Sequence, residues 1–263
     1  MDLRAERLQA LVLRTLPYGE NDLVVHLLAR GLGRVPAFAR GARKSRKRFC
    51  PLEPYQLCEV LLAEAKGGSL RQLREASLIE AHLPLRDDLH RLAHAGYASE
   101  LAHDLTREGQ PADPVFEALE TFLALLSRGP ATSARLRALE LLMLEASGLA
   151  PELQVCGRCG GEVAPGGAFF DAGAGGLLCR RCAGSGHHRL ASGPRAALVQ
   201  LQRRGFNGAE SPESADGSGR PADARAFEEA ASLASRALES FLEHHVGRKL
   251  RSREFLEQVG APG

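Results

Sequence analysis

The segment from Leu23 to Arg40 decides the fold of the N-terminal part, and it reads Leu23-Val24-Val25-His26-Leu27-Leu28-Ala29-Arg30-Gly31-Leu32-Gly33-Arg34-Val35-Pro36-Ala37-Phe38-Ala39-Arg40. Two apolar runs flank a glycine-rich turn, and this pattern predicts two strands joined by that turn. Similar runs occupy residues 8–16, 55–63 and 70–81. Five short strands within about eighty residues predict a small closed barrel, and the OB-fold is the most economical barrel of this size.

The hydrophobic period becomes helical after about Pro84. Apolar residues spaced three or four apart form one face of the first predicted helix: Leu89, Leu92, Ala93, Gly96, Tyr97, Leu101 and Leu105. Asp113-Pro114 predicts an N-cap and a first-turn proline for a second helix. We therefore expect an α+β chain, with an OB-fold nucleic-acid-binding domain over residues 1–82 and a helical domain over residues 83–263.

Three more helices are predicted in the C-terminal half. The third runs from about Thr132 to Gly148, the fourth from Pro194 to Arg204, and a final one begins near Asp223. The segment from about Asn207 to Asp223 is rich in Gly, Ser, Pro and acidic residues, and this composition predicts a mobile loop.

Four cysteines form two pairs, Cys156-Gly157-Arg158-Cys159 and Cys179-Arg180-Arg181-Cys182, with the C-x₂-C spacing of a zinc ribbon. Four thiolates complete the tetrahedral shell of a zinc ion and leave no position for a catalytic water. Between the pairs, Phe169-Phe170-Asp171-Ala172-Gly173 predicts a short hairpin. We expect one structural zinc ion in a knuckle over about residues 153–190, inserted in the helical domain.

Two alternatives to this zinc site stay open. The cysteines would form two disulfides, or remain four free thiols, in a chain that bound no metal. His187 or His188 would replace one cysteine in a mixed ligand set.

The formal net charge is only +2, but the basic residues are concentrated. No acidic residue occurs between Leu23 and Leu52, and eight basic residues lie there. Such a stripe is typical of a surface that binds nucleic acid. The predicted DNA-binding residues are Arg34, Arg40, Arg43, Lys44, Arg46, Lys47 and Arg48. Phe38 and Phe49 flank the stripe, and either ring is a candidate to stack on a base, although an aromatic residue in a strand more often belongs to the core.

Several classes of function are disfavoured by the sequence. It contains no Walker-type glycine loop, no G-x-S-x-G and no H-E-x-x-H, so we expect no enzyme. The charged N-terminus is followed by no long apolar run, which argues against a signal peptide or a membrane span. We expect a soluble protein of a reducing compartment, the cytoplasm.

The order of these features resembles the RecO family of bacterial recombination mediators. Arg40-Gly41-Ala42-Arg43 is similar to the family's Lys-Gly-Ala-Arg-type segment, with Arg40 keeping the charge of the usual lysine. The run from Val12 to Leu23 is similar to the family's first strand and turn, and Gly31-Leu32-Gly33-Arg34-Val35 to its second hairpin. Lys249 to Leu256 is similar to its C-terminal segment. The resemblance covers nearly the whole chain, whereas the four cysteines occur in many but not all members.

The resemblance implies a DNA-repair protein of the RecFOR pathway, associated with the bacterial nucleoid. Such proteins bind single- and double-stranded DNA, anneal complementary strands, and with the partner RecR help to load RecA onto DNA coated by single-strand-binding protein. Their helical domain contacts the acidic C-terminal tail of that protein.

The predicted tail site lies on the helix that begins near Thr132. Arg135 and Arg137 stand near its start, beside the apolar residues Leu136, Leu139 and Leu142. An arginine rim around an apolar groove suits a carboxylate-ended tail. The alternative is an ordinary core helix with solvated arginines.

A second class of function shares the basic barrel and the cysteines, namely a zinc-ribbon RNA-binding or transcription/translation factor. Such a protein would carry basic charge along much of its length, whereas the predicted helical region after residue 86 is rich in acidic residues.

Overall fold

A computed structural model describes residues 5–64, 70–164, 166, 168–213 and 222–259. The chain divides into two compact units, Met1–Gly129 and Pro130–Gly263. The predicted domain boundary after residue 82 lies within the first unit, close to the end of the barrel. The division into domains at this residue stays a prediction. No helix in the described ranges is both long enough and apolar enough to cross a bilayer.

Five strands close into a barrel in the first unit, in the order β1-β2-β3-β5-β4. Their bounds are β1 Ala5–Tyr18, β2 Asp22–Ala29, β3 Gly33–Ala39, β4 Leu57–Ala63 and β5 Arg71–Glu80. All neighbours pair antiparallel except β3 and β5, which pair parallel and complete the ring with the β1–β4 ladder. This confirms the predicted five-stranded, OB-like barrel.

Strand β3 shows why these residues form a barrel wall. Burial alternates along it, with Val35, Ala37 and Ala39 inside and Pro36 and Phe38 on the outer face. Side chains point to opposite faces of a strand in turn, so this alternation buries one face in the core and leaves the other half-exposed. The other four strands also contribute apolar residues to the barrel core. Each large side chain among them, such as Val or Leu, contributes about 1.5–3 kcal/mol when fully buried.

The first unit continues with a 3-10 turn at Leu83–Leu85 and the helices α1, Leu89–Leu105, and α2, Asp113–Arg128. Asp88 caps α1, because its carboxylate accepts hydrogen bonds from the backbone N–H groups of His90 and Arg91 at 2.8 and 3.1 Å.

The prediction that Asp113 caps α2 is wrong. Asp113 is the first residue of the helix, and the N-cap position belongs to Ala112, whose side chain makes no capping hydrogen bond. The Asp113 carboxylate instead accepts a hydrogen bond of 2.6 Å from the backbone N–H of Gly31, in the β2–β3 turn. The Asp113 carboxylate, which the sequence pattern assigned to the N-terminus of α2, therefore binds a backbone N–H of the barrel.

The second unit is mainly helical. Its helices are α3 Ser133–Ala146, α4 Ser192–Arg204, α5 Phe206–Glu210, α6 Ala224–Leu233, α7 Ser235–Val246 and α8 Arg251–Val259. Between α3 and α4 lies a three-stranded sheet of order β7-β6-β8, with β6 Ala168–Asp171, β7 Gly176–Leu178 and β8 His188–Leu190. Helix α3 is largely buried and packs against α4, α5, α6 and α7. The predicted hairpin between the cysteine pairs is confirmed as β6 and β7.

Two predictions for the second unit are wrong in part. The predicted loop from Asn207 to Asp223 begins with the short helix α5, and residues 214–221 of that loop lie outside the described residues. Gly208 of α5 is buried where a Cβ would lie 3.2 Å from the Gln200 carbonyl oxygen, so glycine serves close packing on α4 there. The single C-terminal helix is two helices, α6 and α7, which meet at Ala234.

Candidate nucleic-acid interface and metal centre

The four predicted ligands come together in the second unit. The Sγ atoms of Cys156, Cys159, Cys179 and Cys182 all lie within 4.8 Å of one another. The Cys159 and Cys179 sulfurs are 3.8 Å apart. A tetrahedral ion with metal–sulfur bonds of about 2.3 Å separates its sulfurs by about 3.8 Å, so the cluster has the dimensions of a four-thiolate metal-binding site.

Backbone hydrogen bonds build the turn around the first cysteine pair. The Cys156 N–H donates to the Gly161 carbonyl at 2.9 Å, and the Gly160 N–H donates to the Cys156 carbonyl at 2.8 Å. Gly160 has a φ of +68°, which glycine adopts without strain. The Arg158 guanidinium donates to the Cys182 carbonyl at 2.8 Å and so joins the two pairs.

The β6–β7 hairpin presses directly against this turn. The Gly157 N–H donates to the Leu177 carbonyl at 2.8 Å. A Cβ at Gly157 would lie only 2.2 Å from the Ala174 carbonyl oxygen. Glycine is therefore required here for the hairpin to support the metal-binding turn.

The cysteines of the cluster change one another's pKa values. Backbone N–H groups, first that of Cys179, lower the pKa of Cys156 to about 6. Hydrogen bonds with the thiols of Cys159 and Cys179 raise the pKa of Cys182 to about 12. A bound metal takes the place of such shared protons, and soft thiolates in a tetrahedron are the donor set that zinc prefers.

The two histidines that were alternative ligands lie outside the cysteine cluster. His187 Nε2 lies 2.8 Å from an Asp171 carboxylate oxygen, and His187 Nδ1 accepts a hydrogen bond of 2.7 Å from the Gly184 N–H. His188 is exposed on β8. Within the described ranges, the metal-binding cluster consists of the four cysteines alone.

Six of the seven predicted DNA-binding residues lie in one exposed segment between β3 and β4, which we call the basic loop, residues 40–48. All six side chains are exposed: Arg40, Arg43, Lys44, Arg46, Lys47 and Arg48. Among the residues that the structure describes, none of the six forms an ion pair with a carboxylate. The loop therefore presents uncompensated positive charge.

The basic loop is held against the β1–β2 turn. Its Gly41 N–H donates to an Asp22 carboxylate oxygen at 2.7 Å. Arg43 donates through its backbone N–H to the Asn21 carbonyl at 3.0 Å and through its guanidinium to the Glu20 carbonyl at 3.2 Å. The far end of the loop is anchored by Phe49, which is buried in the barrel core. Phe49 is therefore excluded as a base-stacking ring.

Arg34, the seventh predicted residue, lies apart from the loop. It stands at the start of β3, whereas the loop leaves from the end of that strand, about 20 Å away at 3.3 Å per residue. Arg34 Nη1 lies 2.6 Å from His103 Nε2 on α1. The structure does not bring this arginine together with the other six.

The two arginines of the predicted tail site are engaged within the second unit. The Arg135 guanidinium binds both carboxylate oxygens of Glu210, at 2.6 and 2.9 Å, and this pairing lowers the pKa of Glu210. Arg137 is only 4 % exposed, and its Nη2 lies 3.0 Å from a carboxylate oxygen of the fully buried Glu140. The tail site stays a prediction, and a tail carboxylate would have to compete with these partners.

The fold and the sites define a class of protein: an OB-like barrel bearing an exposed basic loop, followed by a helical unit with a four-cysteine metal-binding site. Two family models match almost the entire chain, Recombination protein O N terminal over residues 1–82 and Recombination protein O C terminal over residues 86–254.

Relatives of similar length are described as DNA repair protein RecO. A DNA repair protein RecO of Anaeromyxobacter sp. (strain K) is 46 % identical over 258 residues, covering 97 % of this chain and 96 % of the relative. The corresponding protein of Myxococcus xanthus is 37 % identical over 95 % of this chain and 96 % of its own length. That of Pelobacter propionicus is 35 % identical over 98 % of both. The chain belongs to the RecO family of DNA repair proteins, which are non-enzymatic recombination mediators.

Proposed function

We propose that this protein binds single- and double-stranded DNA through its basic loop and anneals complementary strands. The observation that supports this most is the set of six exposed cations, free of ion pairs within the described residues, on a loop tied to the barrel. Lysine and arginine side chains in such a setting neutralise successive phosphates and release counterions. Membership of the RecO family favours DNA over the RNA ligand of a zinc-ribbon factor.

We further propose the family's partners for this chain. With RecR, it would help to load RecA onto DNA coated by single-strand-binding protein, acting in the cytoplasm on the nucleoid. The acidic tail of the single-strand-binding protein would be captured by the helical unit, at Arg135 and Arg137. One zinc ion at Cys156, Cys159, Cys179 and Cys182 would serve structure, because four thiolates leave no open position on the metal.

An annealing assay tests the proposal. Complementary strands coated with single-strand-binding protein are mixed with the wild type or with the triple variant Lys44→Gln, Arg46→Gln and Lys47→Gln. These three side chains make no hydrogen bond that holds the loop in place, so the variant removes charge and leaves the anchors at Gly41 and Arg43. We expect the wild type to anneal and the variant to be strongly impaired.

A matched control removes the same charge elsewhere. Arg203, Arg225 and Arg236 are exposed in the second unit, and their replacement by glutamine also lowers the net charge by three. This control should anneal like the wild type. Equal loss in both triple variants would mean that net charge, rather than the basic loop, carries the activity; annealing unaffected by the loop variant would contradict the proposal.

A further inference from the structure

An exposed aromatic pair lies on the outer face of the barrel. Tyr18, the last residue of β1, is 61 % exposed. Its ring centroid lies 5.5 Å from that of Phe38 with the ring planes at 89°, an edge-to-face arrangement. Such a contact covers one face of one ring, so the pair holds Tyr18 in place without covering it.

The aromatic pair belongs to a larger apolar strip. Leu16 pairs with Val24 across the β1–β2 ladder, and Val24 pairs with Phe38 across the β2–β3 ladder, so the three residues form one rung. Tyr18 stands two residues beyond Leu16, on the same face of β1. Leu16 is itself 37 % exposed. Neighbouring strands thus place apolar side chains side by side on the outside of the barrel.

The basic loop begins beside this strip. Phe38 is two residues before Arg40, where the loop starts, and Tyr18 immediately precedes the turn whose Glu20 and Asn21 carbonyls accept hydrogen bonds from Arg43. The Asp22 carboxylate, at the end of the same turn, accepts a hydrogen bond from the Gly41 N–H. The exposed Tyr18 ring and a row of cations therefore share one end of the barrel.

We infer that Tyr18, supported by Phe38, is a stacking site for an unpaired base of single-stranded nucleic acid, next to the phosphates held by the basic loop. The inference rests on the proposed function of that loop. Single-strand binders combine a basic track for the backbone with aromatic rings for the bases, and the strip and loop supply both. A duplex covers the faces of its bases by stacking, so the site would favour single strands over duplex.

The test measures the affinity of the full chain for three probes: an oligothymidylate, a hairpin duplex, and an abasic single strand of the same phosphate count. Tyr18→Ala should weaken oligothymidylate binding by about 5- to 150-fold, the range for loss of one base–aromatic stack. Affinity for the duplex and the abasic strand, and the salt dependence of binding, should not change. Tyr18→Phe, which keeps the ring, should bind all three probes like the wild type.

A fluorescent variant reports stacking directly. The chain contains no tryptophan, so Tyr18→Trp introduces a single indole at this position. We expect its fluorescence to be quenched by the oligothymidylate and not by the abasic strand.

The outcomes separate this inference from the proposed function. If Tyr18→Ala binds every probe like the wild type, or weakens all three probes equally, the stacking site is overturned and the basic loop is untouched. If Tyr18→Ala reduced binding to RecR and left DNA affinity unchanged, the stacking site would be overturned and Tyr18 would be a protein contact. If the basic-loop triple variant binds DNA normally, the proposed function fails, whatever Tyr18→Ala does.

Discussion

At the scale of single residues, the most consequential feature is the buried ion pair of α3. Arg137 and Glu140 are three residues apart on one helix, with side chains 5 % and 0 % exposed. The Arg137 guanidinium also reaches the Ser235 carbonyl at 3.5 Å, at the start of α7. Removing one partner of a buried pair leaves the other charge in a low-dielectric setting, which is far more costly than removing both.

Replacement of Arg137 by alanine should therefore destabilise the protein. We expect Arg137→Ala to lower the free energy of unfolding by about 3–5 kcal/mol. Replacing both partners with apolar residues of similar size, Arg137→Met with Glu140→Leu, should cost much less. Urea denaturation followed by circular dichroism measures both, and a mild effect of the single variant would contradict the role of the pair.

The same double variant also tests the predicted tail site. It keeps α3 packed while removing the Arg137 charge, so a loss of affinity for the tail peptide would support a direct contact. A double variant that folds and binds the peptide like the wild type would remove Arg137 from the site.

At the scale of elements, the basic loop has a measurable electrostatic signature. Each phosphate that the protein no longer neutralises lowers the slope of log affinity against log salt by about 0.7–0.9. The triple variant Lys44→Gln, Arg46→Gln and Lys47→Gln should therefore flatten this slope by up to about 2 for single-stranded DNA. Fluorescence anisotropy across a salt series measures it. The control triple variant at Arg203, Arg225 and Arg236 should keep the wild-type slope; a wild-type slope in the loop variant would show that these cations are merely solvated.

The metal-binding knuckle is the second element with a distinct prediction. Cys182→Ser should lose the metal and lower the melting temperature of the second unit, because the binding energy of a structural metal is also folding energy. DNA binding should survive in part, since the basic loop belongs to the first unit. Zinc content and thermal melting are measured together, with Cys50→Ser, outside the cluster, as the control. Unchanged metal content in Cys182→Ser would contradict the assignment.

At the scale of the whole molecule, the barrel and the helices that follow it are joined into one unit by contacts around the β2–β3 turn. Arg30 forms ion pairs with Glu117 and Glu120 of α2, at 3.1 and 3.3 Å. Gly33 lies where a Cβ would stand 1.8 Å from the Gln110 carbonyl oxygen, in the segment between α1 and α2. The segment between α1 and α2 therefore packs in direct backbone contact with the turn, and α2 is joined to the turn through side-chain ion pairs.

Two glycines of this turn offer a matched comparison. Gly31 and Gly33 have φ values of +77° and +69°, but no atom lies within 4 Å of a Cβ placed at Gly31. Gly31→Ala should cost about 1 kcal/mol of backbone strain, whereas Gly33→Ala should cost clearly more, because the segment at Gln110 must move as well. Chemical denaturation compares the two, and equal losses would show that the close packing at Gly33 contributes nothing.

Much of this protein was predictable because the relevant signals are local. Short apolar runs separated by turns predicted five strands, and C-x₂-C spacing predicted the cysteine cluster. The run of cations without acidic neighbours predicted an exposed basic segment, because charges stay in water wherever a loop allows it. Local geometry and solvation settle such features with little help from distant residues.

Only the tertiary structure decided what depends on partners far away in the chain. Phe49 lies in the core, whereas Phe38 lies on the outer face of the barrel. Arg34 contacts His103, and the Asp113 carboxylate accepts a hydrogen bond from Gly31. The long-range partners in these examples cannot be read from a sequence period, because each is chosen by which surfaces meet when the chain closes. A hydrogen-bond acceptor or an aromatic ring has several possible partners nearby in the sequence. The long-range partner prevails where burial would otherwise leave a polar group unpaired or a cavity open, because both are costly.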